Sequence, residues 1–450
     1  MDHAARRRRL LDALDTTDGV VLLLGHRDAA RDHAADQYPF HQDASFRYFV
    51  GLDEPDAAVV IDPDTGDTTL FGTEPDLDDV LWHGPRPPLA ERAQAADADH
   101  HRPLADLTDA VAGRSVLTLP STRETQAADL RRLLGPDHRP SEALIAAVVA
   151  LREVKEPEEV AEVERAVAAT ATIHAAAMAA VAEGRPEADV VAELEALLAA
   201  HRLEWAYSPI FTVRGEVLHR LEHTDLMARR DLLLFDGAVR SERGYAADIT
   251  RTLPVSGRFE GRGRDLYEVV LAAQTRALEL LAPGVRHLDV HRSVGRVVLE
   301  GFASLGLCRG DLDAAAEADA YGVVFPHGLG HLLGLETHDM EGLGEDRVGY
   351  DAETTRPETF GPSNLRIGKR LRTGMVLTVE PGAYLIGPLI ERFAAEGRFT
   401  GFWDYDALAD WVGIGGVRIE DVALVTPDGV RVLGPPIPKS IDAVEAAMAG

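Results

Sequence analysis

The chain is almost without cysteine. Cys308 is the single cysteine in 450 residues, so no disulfide can form within the chain. Disulfides persist in oxidising compartments, and a chain of this length can fold on its hydrophobic core without them. The sequence therefore predicts a protein of a reducing compartment, and we expect it to be cytoplasmic.

The chain is also short of positive charge. Its 46 lysines and arginines stand against 75 aspartates and glutamates, which gives a formal net charge of -29. A field of this sign repels phosphate backbones and anionic membrane surfaces. Nucleic acid is therefore not expected as a partner.

Long hydrophobic runs are missing as well. The longest uncharged apolar run, residues 143–151, has about half the length that a membrane-spanning helix requires. The basic cluster Arg6–Arg9 resembles the start of a secretion signal, but Asp12 and Asp15 interrupt the stretch behind it. We expect neither a signal peptide nor a membrane partner.

The spacing of apolar residues predicts two domains. Residues 1–150 alternate helical stretches with short strand-like runs, and the turn residues of 62–67 predict a hairpin between two of these runs. The predicted strands are 20–24, 57–61, 68–71 and 116–119. We expect an N-terminal α/β domain over 1–150 and a second domain over 151–450.

The second domain begins with helical spacing. Pro157 fits the first turn of a helix, and Gly184 fits its C-terminal cap. Further along, the pattern predicts strands at 231–239 and 244–253, helices at 265–281 and 288–305, and one long loop at 344–365. A long loop inside a compact domain is often functional.

Four carboxylates interrupt otherwise apolar, strand-like segments of the second domain. They are Asp236, Asp248, Glu380 and Glu420. A buried carboxylate is costly unless it pairs with a cation or binds a metal ion. Any one of the four could cap a turn or pair with an arginine at a strand end. The four together favour a pair of divalent ions, since manganese, cobalt, iron and zinc suit such ligands.

A segment rich in glycine and histidine, Pro326–Asp339, is the fifth feature. Gly328 and Gly330 argue against a helix, and no Glu follows His327, so the zinc-binding helix motif is absent. The glycine spacing does not match a dinucleotide-binding loop either. We interpret the glycines as backbone packed close to another element, and His327 as a hydrogen-bonding residue behind the ligands.

Together these segments resemble the pita-bread metallopeptidases, the group of methionine aminopeptidase, aminopeptidase P and prolidase. The matching stretches are His41–Phe46 in the N-terminal region, Phe325–His331 before His338, Gly374–Gly382 around Glu380, and Gly415–Asp421 around Glu420. Within that group the chain is most similar to prolidase, the Xaa-Pro dipeptidase. The resemblance implies an α+β fold, with a C-terminal pita-bread domain and a smaller, creatinase-like N-terminal α/β domain.

The resemblance also implies a ligand set. Asp236, Asp248, His331, Glu380 and Glu420 match, in this order, the five metal ligands of the group. Asp236 would bind one ion and His331 the other, with Asp248 and Glu420 between them and Glu380 as ligand and proton acceptor. Two divalent ions are the implied cofactors. Manganese is expected, with cobalt, zinc or iron as alternatives.

The remaining roles also come from the resemblance. His219 and His338 would stabilise the tetrahedral intermediate, and Arg418 would orient a ligand or contact the substrate. Arg366 would hold the free carboxylate of a dipeptide, unless it is a surface charge. Substrate contacts are likewise expected from His327 and from Trp82. The tryptophan would reach the partner subunit of a homodimer, unless it is a core aromatic residue.

The expected function is hydrolysis of the Xaa-Pro bond in dipeptides, with a small peptide as substrate. The alternative is an aminopeptidase P that trims longer Xaa-Pro peptides, or a prolidase-like enzyme with organophosphorus hydrolase side activity. Because all five ligand positions are filled, a metal-free hydrolase of the creatinase type and a non-catalytic binding protein are disfavoured.

Overall fold

The structure is a computed structural model and describes residues 1–14, 19–33 and 35–449. It divides into two compact units. The first comprises Met1–Arg152 together with Met340–Arg347, and the second comprises Glu153–Asp339 together with Val348–Gly450. The division after Arg152 lies close to the boundary expected at residue 150. The segment Met340–Arg347, which the sequence analysis assigned to the second domain, groups instead with the first unit.

The first unit is built on a five-stranded mixed sheet. Its elements are α1 (His3–Ala13), β1 (Val20–Leu24), α2 (Ala44–Val50), β2 (Ala58–Ile61), β3 (Thr68–Gly72), α3 (Leu77–His83), α4 (Leu89–Ala95), β4 (His100–Pro103), α5 (Leu107–Val111), β5 (Val116–Leu117), α6 (Glu124–Leu134) and α7 (Glu142–Arg152). The strand order is β4-β3-β2-β1-β5. The predicted hairpin is confirmed, because β2 and β3 pair antiparallel with Ile61 opposite Thr68.

The second unit carries three small antiparallel sheets and most of the long helices. From residue 157 onward the elements are α8 (Pro157–Ala180), α9 (Glu187–His201), β6 (Ile210–Thr212), β7 (Leu232–Asp236), β8 (Thr250–Pro254), α10 (Gly261–Leu280), α11 (His287–Ser304), α12 (Leu312–Glu317), α13 (Glu345–Gly349), β9 (Val376–Val379), β10 (Gly382–Tyr384), α14 (Gly387–Ala395), α15 (Tyr405–Ala409), β11 (Gly416–Arg418), β12 (Asp421–Thr426), β13 (Gly429–Val432) and α16 (Ile441–Met448). The sheets have the orders β6-β7-β8, β13-β12-β9 and β10-β11.

Helix α8 shows how local sequence sets an element's ends. Pro157 occupies its first turn, as predicted, and Glu156 and Glu159 form a capping box there. The predicted C-terminal cap at Gly184 is wrong. The helix ends at Ala180 because Val181 is already extended, and Gly184, with a φ of +79°, lies in the turn that follows.

The two predicted strands around the first acids are shorter than expected. The first is β7, Leu232–Asp236, and the second begins only at Thr250. Residues 244–249 keep only isolated bonds to the chain before them, such as that from the Ala247 N–H to the Val239 carbonyl at 3.1 Å, and the Ala246 N–H donates instead to the Gly334 carbonyl at 2.8 Å. This bond brings the chain before Asp248 against the segment that carries the histidines.

The other predictions for this unit are largely confirmed. The helices expected at 265–281 and 288–305 are α10 and α11, each beginning slightly earlier. The loop expected at 344–365 is irregular apart from α13 and a short 3₁₀ turn at Pro362–Asn364. Among the described residues, no helix combines the length and the apolar character needed to cross a bilayer.

Candidate metal centre

The four acids singled out in the sequence all lie at strand ends. Asp236 ends β7, where it pairs with Thr250. Asp248 lies two residues before β8, Glu380 follows β9, and Glu420 lies between β11 and β12. The antiparallel pairing of β9 with β12 places Val379 opposite Asp421. The acids that flank these two residues, Glu380 and Glu420, are therefore brought to the same end of the sheets.

His331 is held beside Glu380 by close backbone packing. Its N–H donates to the Thr378 hydroxyl at 3.1 Å, and its carbonyl accepts from the Thr378 N–H at 2.9 Å. A Cβ on Gly330 would lie 2.0 Å from the Thr378 carbonyl oxygen, and one on Gly328 would lie 2.9 Å from the Leu365 Cα. The prediction that these glycines allow close backbone approach is confirmed.

The ligand atoms of the acids and the histidine converge. One ligand atom each from Asp248, His331 and Glu420 lies within 4.8 Å of the others. His331 Nε2 is 3.3 Å from Asp248 Oδ2 and 3.7 Å from Glu380 Oε1. The Nδ1 of His331 faces the Leu332 carbonyl at 3.1 Å and carries the proton, because a carbonyl can only accept. Nε2 is thus the ring atom that faces the carboxylates.

Hydroxyl groups complete the surroundings of the acids. The Tyr207 hydroxyl is 2.6 Å from an oxygen of Asp236 and 2.6 Å from one of Asp248, although its single proton can serve only one of them. The Thr250 hydroxyl donates to Glu420 at 2.6 Å. These bonds fix the carboxylates in place without supplying positive charge.

The pKa values of Glu380 and Glu420 are both raised by burial beside other charged groups. Burial raises the pKa of Glu380 to about 7, against the opposing charges of His331 and Arg418. Burial, together with the neighbouring carboxylates, raises the pKa of Glu420 well above its ordinary value. Burial lowers the pKa of His331, but the bond to Asp248 and the charge of Glu380 outweigh it and raise that pKa to about 9.

This donor set fits divalent metal ions. Four carboxylates and one imidazole nitrogen are the ligand types that manganese, zinc, iron and cobalt accept. Bound cations would also offset the burial and mutual repulsion that raise the pKa values of Glu380 and Glu420. Of the five predicted ligands, Asp248, His331 and Glu420 have ligand atoms that converge, and Asp236 and Glu380 line the same cavity.

Arg418 begins a chain of hydrogen bonds behind these residues. It donates to Asp236 Oδ2 at 2.5 Å and to the Tyr384 hydroxyl at 2.9 Å. That hydroxyl donates in turn to His327 Nε2 at 2.8 Å, and His327 Nδ1 donates to the Gly328 carbonyl at 2.8 Å. Arg418 therefore orients Asp236. Both ring nitrogens of His327 are engaged in this chain, as the interpretation of a residue behind the ligands requires.

The residues expected on the substrate side line one cavity of about 780 Å³. His219, His327, His338, Arg366 and Arg418 all contribute to its walls, together with the five ligand-type residues. His338 stacks on His331, with ring centroids 3.8 Å apart. The rest of the lining is mainly apolar and includes Ile210, Leu218, Leu221, Phe360, Ile386 and Leu389.

Trp82 belongs to the first unit and is not a core residue. It lies on α3, in which no residue is buried, and its exposed fraction is 76%. The alternative of a core aromatic is therefore wrong.

Several residues of the site were not predicted from the sequence. Tyr207, Thr250, Thr378, Tyr384 and Asn364 hold the ligands or line the cavity. Thr250 and Thr378 had a usable signal, since each lies two residues from a ligand on the same strand face. Tyr207 and Tyr384 had none, because their role depends on contacts between distant segments.

Comparison with protein families and curated proteins agrees with this geometry. The model of metallopeptidase family M24 matches residues 161–427, and that of the aminopeptidase P N-terminal domain matches residues 3–116. The probable Xaa-Pro aminopeptidase pepP of Aspergillus clavatus is 31% identical over 466 residues, covering 99% of this chain and 97% of its own. A probable Xaa-Pro aminopeptidase of Verticillium alfalfae is 30% identical over 444 residues, covering 97% and 94%.

Solved structures share the fold over the whole chain. The aminopeptidase PepP of Pseudomonas aeruginosa superposes with a TM-score of 0.82 at 28% identity, covering 100% of this chain and 97% of its own. The zinc-substituted aminopeptidase P of E. coli in complex with product gives 0.81 at 27% identity, covering 100% and 98%. The expected fold, an N-terminal α/β domain followed by a pita-bread domain, is confirmed.

Proposed function

Because the chain belongs to metallopeptidase family M24, we propose that it removes the N-terminal residue from peptides with proline in the second position. The observation that carries the proposal is that five ligand-type side chains line one cavity of about 780 Å³, with ligand atoms of three of them within 4.8 Å of one another. The names of the similar curated proteins, Xaa-Pro aminopeptidases, support the choice of substrate.

This proposal reverses the order of the two functions expected from sequence. The dipeptidase came first there, on the similarity of motifs to prolidase, and the aminopeptidase was the alternative. The similar proteins support the alternative. Hydrolysis of Xaa-Pro dipeptides stays as the second candidate because Arg366, the residue expected to hold a dipeptide's carboxylate, lines the cavity.

The proposed cofactors are two divalent metal ions, with manganese as the expected metal. When bound, such ions polarise the peptide carbonyl and lower the pKa of water to near neutrality. Asp236 and Asp248, His331, Glu380 and Glu420 would hold them.

The chain's own residues supply the proton transfers. Glu380, a carboxylate that lines the cavity, is the residue we expect to accept a proton from the attacking water and return it. His338, stacked on His331, and His219 face the cavity, where they can donate to the oxygen that becomes negative in the tetrahedral intermediate. Arg418 holds Asp236 in place and does not need to touch the substrate.

A substrate series tests the proposal. Metal-depleted protein is assayed with Ala-Pro-Ala, a longer Ala-Pro peptide, Ala-Pro and the proline-free control Ala-Ala-Ala, each with manganese, cobalt or zinc added back. We expect release of the first alanine from the two longer proline peptides, with manganese giving the highest rate. Preference for Ala-Pro over both would establish the dipeptidase instead, and equal cleavage of Ala-Ala-Ala would refute both assignments.

Replacing Arg366 by Ala separates the two candidates further. A carboxylate that loses a bidentate guanidinium should bind worse by about 2 to 4 kcal/mol. If Arg366 holds the carboxylate of a dipeptide, the kcat/KM for Ala-Pro should fall far more than that for a long peptide. Equal losses would show that it contacts a group that both substrates share.

We also propose that the protein is a cytoplasmic homodimer. Support for a dimer comes from α3, where Leu77, Leu81 and Trp82 are 82%, 70% and 76% exposed, an unusual density of large apolar side chains on a surface. Sedimentation of the wild type and of Trp82→Ala tests this, because the variant should dissociate more readily. A wild-type monomer at micromolar concentration would refute it.

The single cysteine supports a cytoplasmic location, and cell fractionation tests that placement.

A further inference from the structure

We infer that Tyr350 and Arg356, in the long loop before β9, are positioning residues that hold Arg366 in its place on the cavity wall. The inference rests on the proposed function, because it assumes that Arg366 contacts the peptide. It assigns a role to a loop that the sequence marked as functional and that contributes none of the metal ligands.

The first contact is with the carbonyl group immediately before Arg366. The Leu365 carbonyl accepts from the Tyr350 hydroxyl at 2.8 Å and from Arg356 Nη1 at 2.8 Å. Leu365 is completely buried. Its carbonyl oxygen therefore has no access to water, and the two loop side chains satisfy both of its lone pairs. A buried carbonyl that lost one of these donors would be free to turn, and the peptide group it shares with Arg366 would turn with it.

The two side chains act as one unit. The Arg356 guanidinium lies over the Tyr350 ring, 4.8 Å from its centroid, and also donates to the Ser363 carbonyl at 3.1 Å. Tyr350 is itself buried. The loop thus folds back on segment 363–367 and holds the carbonyls of Ser363 and Leu365.

The opposite side of Arg366 is held by α11 and α13. His287 Nδ1 donates to the Ile367 carbonyl at 2.8 Å, and the Gly368 N–H donates to the Gly349 carbonyl at 2.8 Å. A Cβ on Gly349 would lie 1.9 Å from the Arg366 carbonyl oxygen, so the two backbones are in close contact here. Bonds on both sides of Arg366 therefore restrict its main chain while its side chain lines the cavity.

A second cavity residue depends on the same segment. Asn364 lines the cavity, and its Nδ2 donates to the Pro326 carbonyl at 2.9 Å. Segment 363–367 therefore connects the loop to the histidine segment. Because a guanidinium recognises its ligand by direction as well as by charge, small rotations at residue 366 should weaken binding of the peptide.

The test combines Tyr350→Phe with Arg366→Ala. Tyr350→Phe removes one hydroxyl and keeps the ring under Arg356. For Ala-Pro-Ala with the metal-loaded protein, we expect KM to rise about 3- to 10-fold, which corresponds to one lost hydrogen bond, with kcat changed by less than about twofold. In the Arg366→Ala background the same replacement should change KM no further.

The matched control is Tyr267→Phe. Tyr267 is also buried, and its hydroxyl also donates to a main-chain carbonyl, that of Lys439 at 2.7 Å, but it does not line the cavity. This variant should lower stability by a similar amount and leave KM unchanged. If Tyr350→Phe does not fold, Arg356→Lys keeps the charge, loses the forked geometry and should show the same dependence on Arg366.

Binding of Pro-Ala, the product of Ala-Pro-Ala, gives a readout without turnover. Calorimetry should show the same weakening in Tyr350→Phe as the kinetics, and none in the Arg366→Ala background. A weakening that is equal in both backgrounds, or no weakening while Arg366→Ala weakens binding, would overturn the inference. Failure of the wild type to cleave any Xaa-Pro peptide would refute the proposed function alone, since the binding data would still report on the contact.

Discussion

Replacing Asp421 by Asn should destabilise the second unit without removing the metal ions. Asp421 follows Glu420 on the strand end, but its side chain contacts Arg251, Gln274 and Lys439 at 2.6, 2.7 and 2.5 Å. The Arg251 guanidinium is itself fully bonded. Besides Asp421, it donates to four main-chain carbonyls, those of Thr250, Glu420, Ile437 and Pro438, which uses all five of its N–H groups.

The magnitude follows from the pKa of Asp421. Burial raises this pKa, but the charges of Arg251 and Lys439 outweigh burial and lower it to about 2 from an ordinary value of 3.8. A difference of this size between folded and unfolded chain contributes about 2.5 kcal/mol to the free energy of unfolding at neutral pH. Since the folded pKa is the lower one, the contribution is complete above about pH 4 and is lost as the pH falls towards 2.

Urea unfolding followed by tryptophan fluorescence measures the effect. At pH 7 the variant should be less stable than the wild type by about 2 to 3 kcal/mol, and the pH-dependent part of this difference should be about half as large at pH 3. Elemental analysis should show the same metal content in both proteins. A difference below about 1 kcal/mol at pH 7, or one independent of pH, would refute the electrostatic reasoning.

Further predictions concern the metal centre and the glycines beside it. His331→Ala should lower the metal content and abolish activity, because a ligand is lost, whereas His338→Ala should keep the metals and lose most of the activity. Loss of metal in the His338 variant would show that the two roles are assigned wrongly. Gly330→Ala would place a methyl group 2.0 Å from the Thr378 carbonyl oxygen and should lower the free energy of unfolding by about 3 kcal/mol. A thermal melt of this variant that matches the wild type would contradict the packing argument.

The candidate ligands could be predicted because each breaks a local rule. A carboxylate inside an apolar strand pattern is costly unless something compensates it, so Asp236 and Glu380 are visible in a single sequence. The glycines at 328 and 330 are visible for a similar reason, since they interrupt what would otherwise pass for a helix. Predictions of this kind need no knowledge of which distant segments meet.

The features that could not be predicted depend on contacts between segments that are distant in the sequence. Residues 244–249 have the composition of a strand and keep isolated bonds to residues 237–241, but the Ala246 N–H donates to the distant Gly334 carbonyl, and such a tertiary contact is not encoded in local preference. The boundary near residue 150 could be predicted, but the grouping of Met340–Arg347 with the first unit could not, because it leaves no mark in composition. The roles of Tyr207 and Arg251 could not be predicted, because their hydrogen-bond partners lie far away in the sequence.

The adjacent acids Glu420 and Asp421 show how one strand end serves two purposes. Alternation along the strand turns their side chains to opposite faces. Glu420 lies among other carboxylates, and burial with these neighbours raises its pKa. Asp421 lies against Arg251 and Lys439, which lower its pKa. The first face is short of cations and is suited to bind metal ions, whereas the second is neutralised by the chain itself. Stability and metal binding should therefore be separable by mutation at neighbouring positions. Asp421→Asn should lower stability, and Glu420→Gln should weaken metal binding.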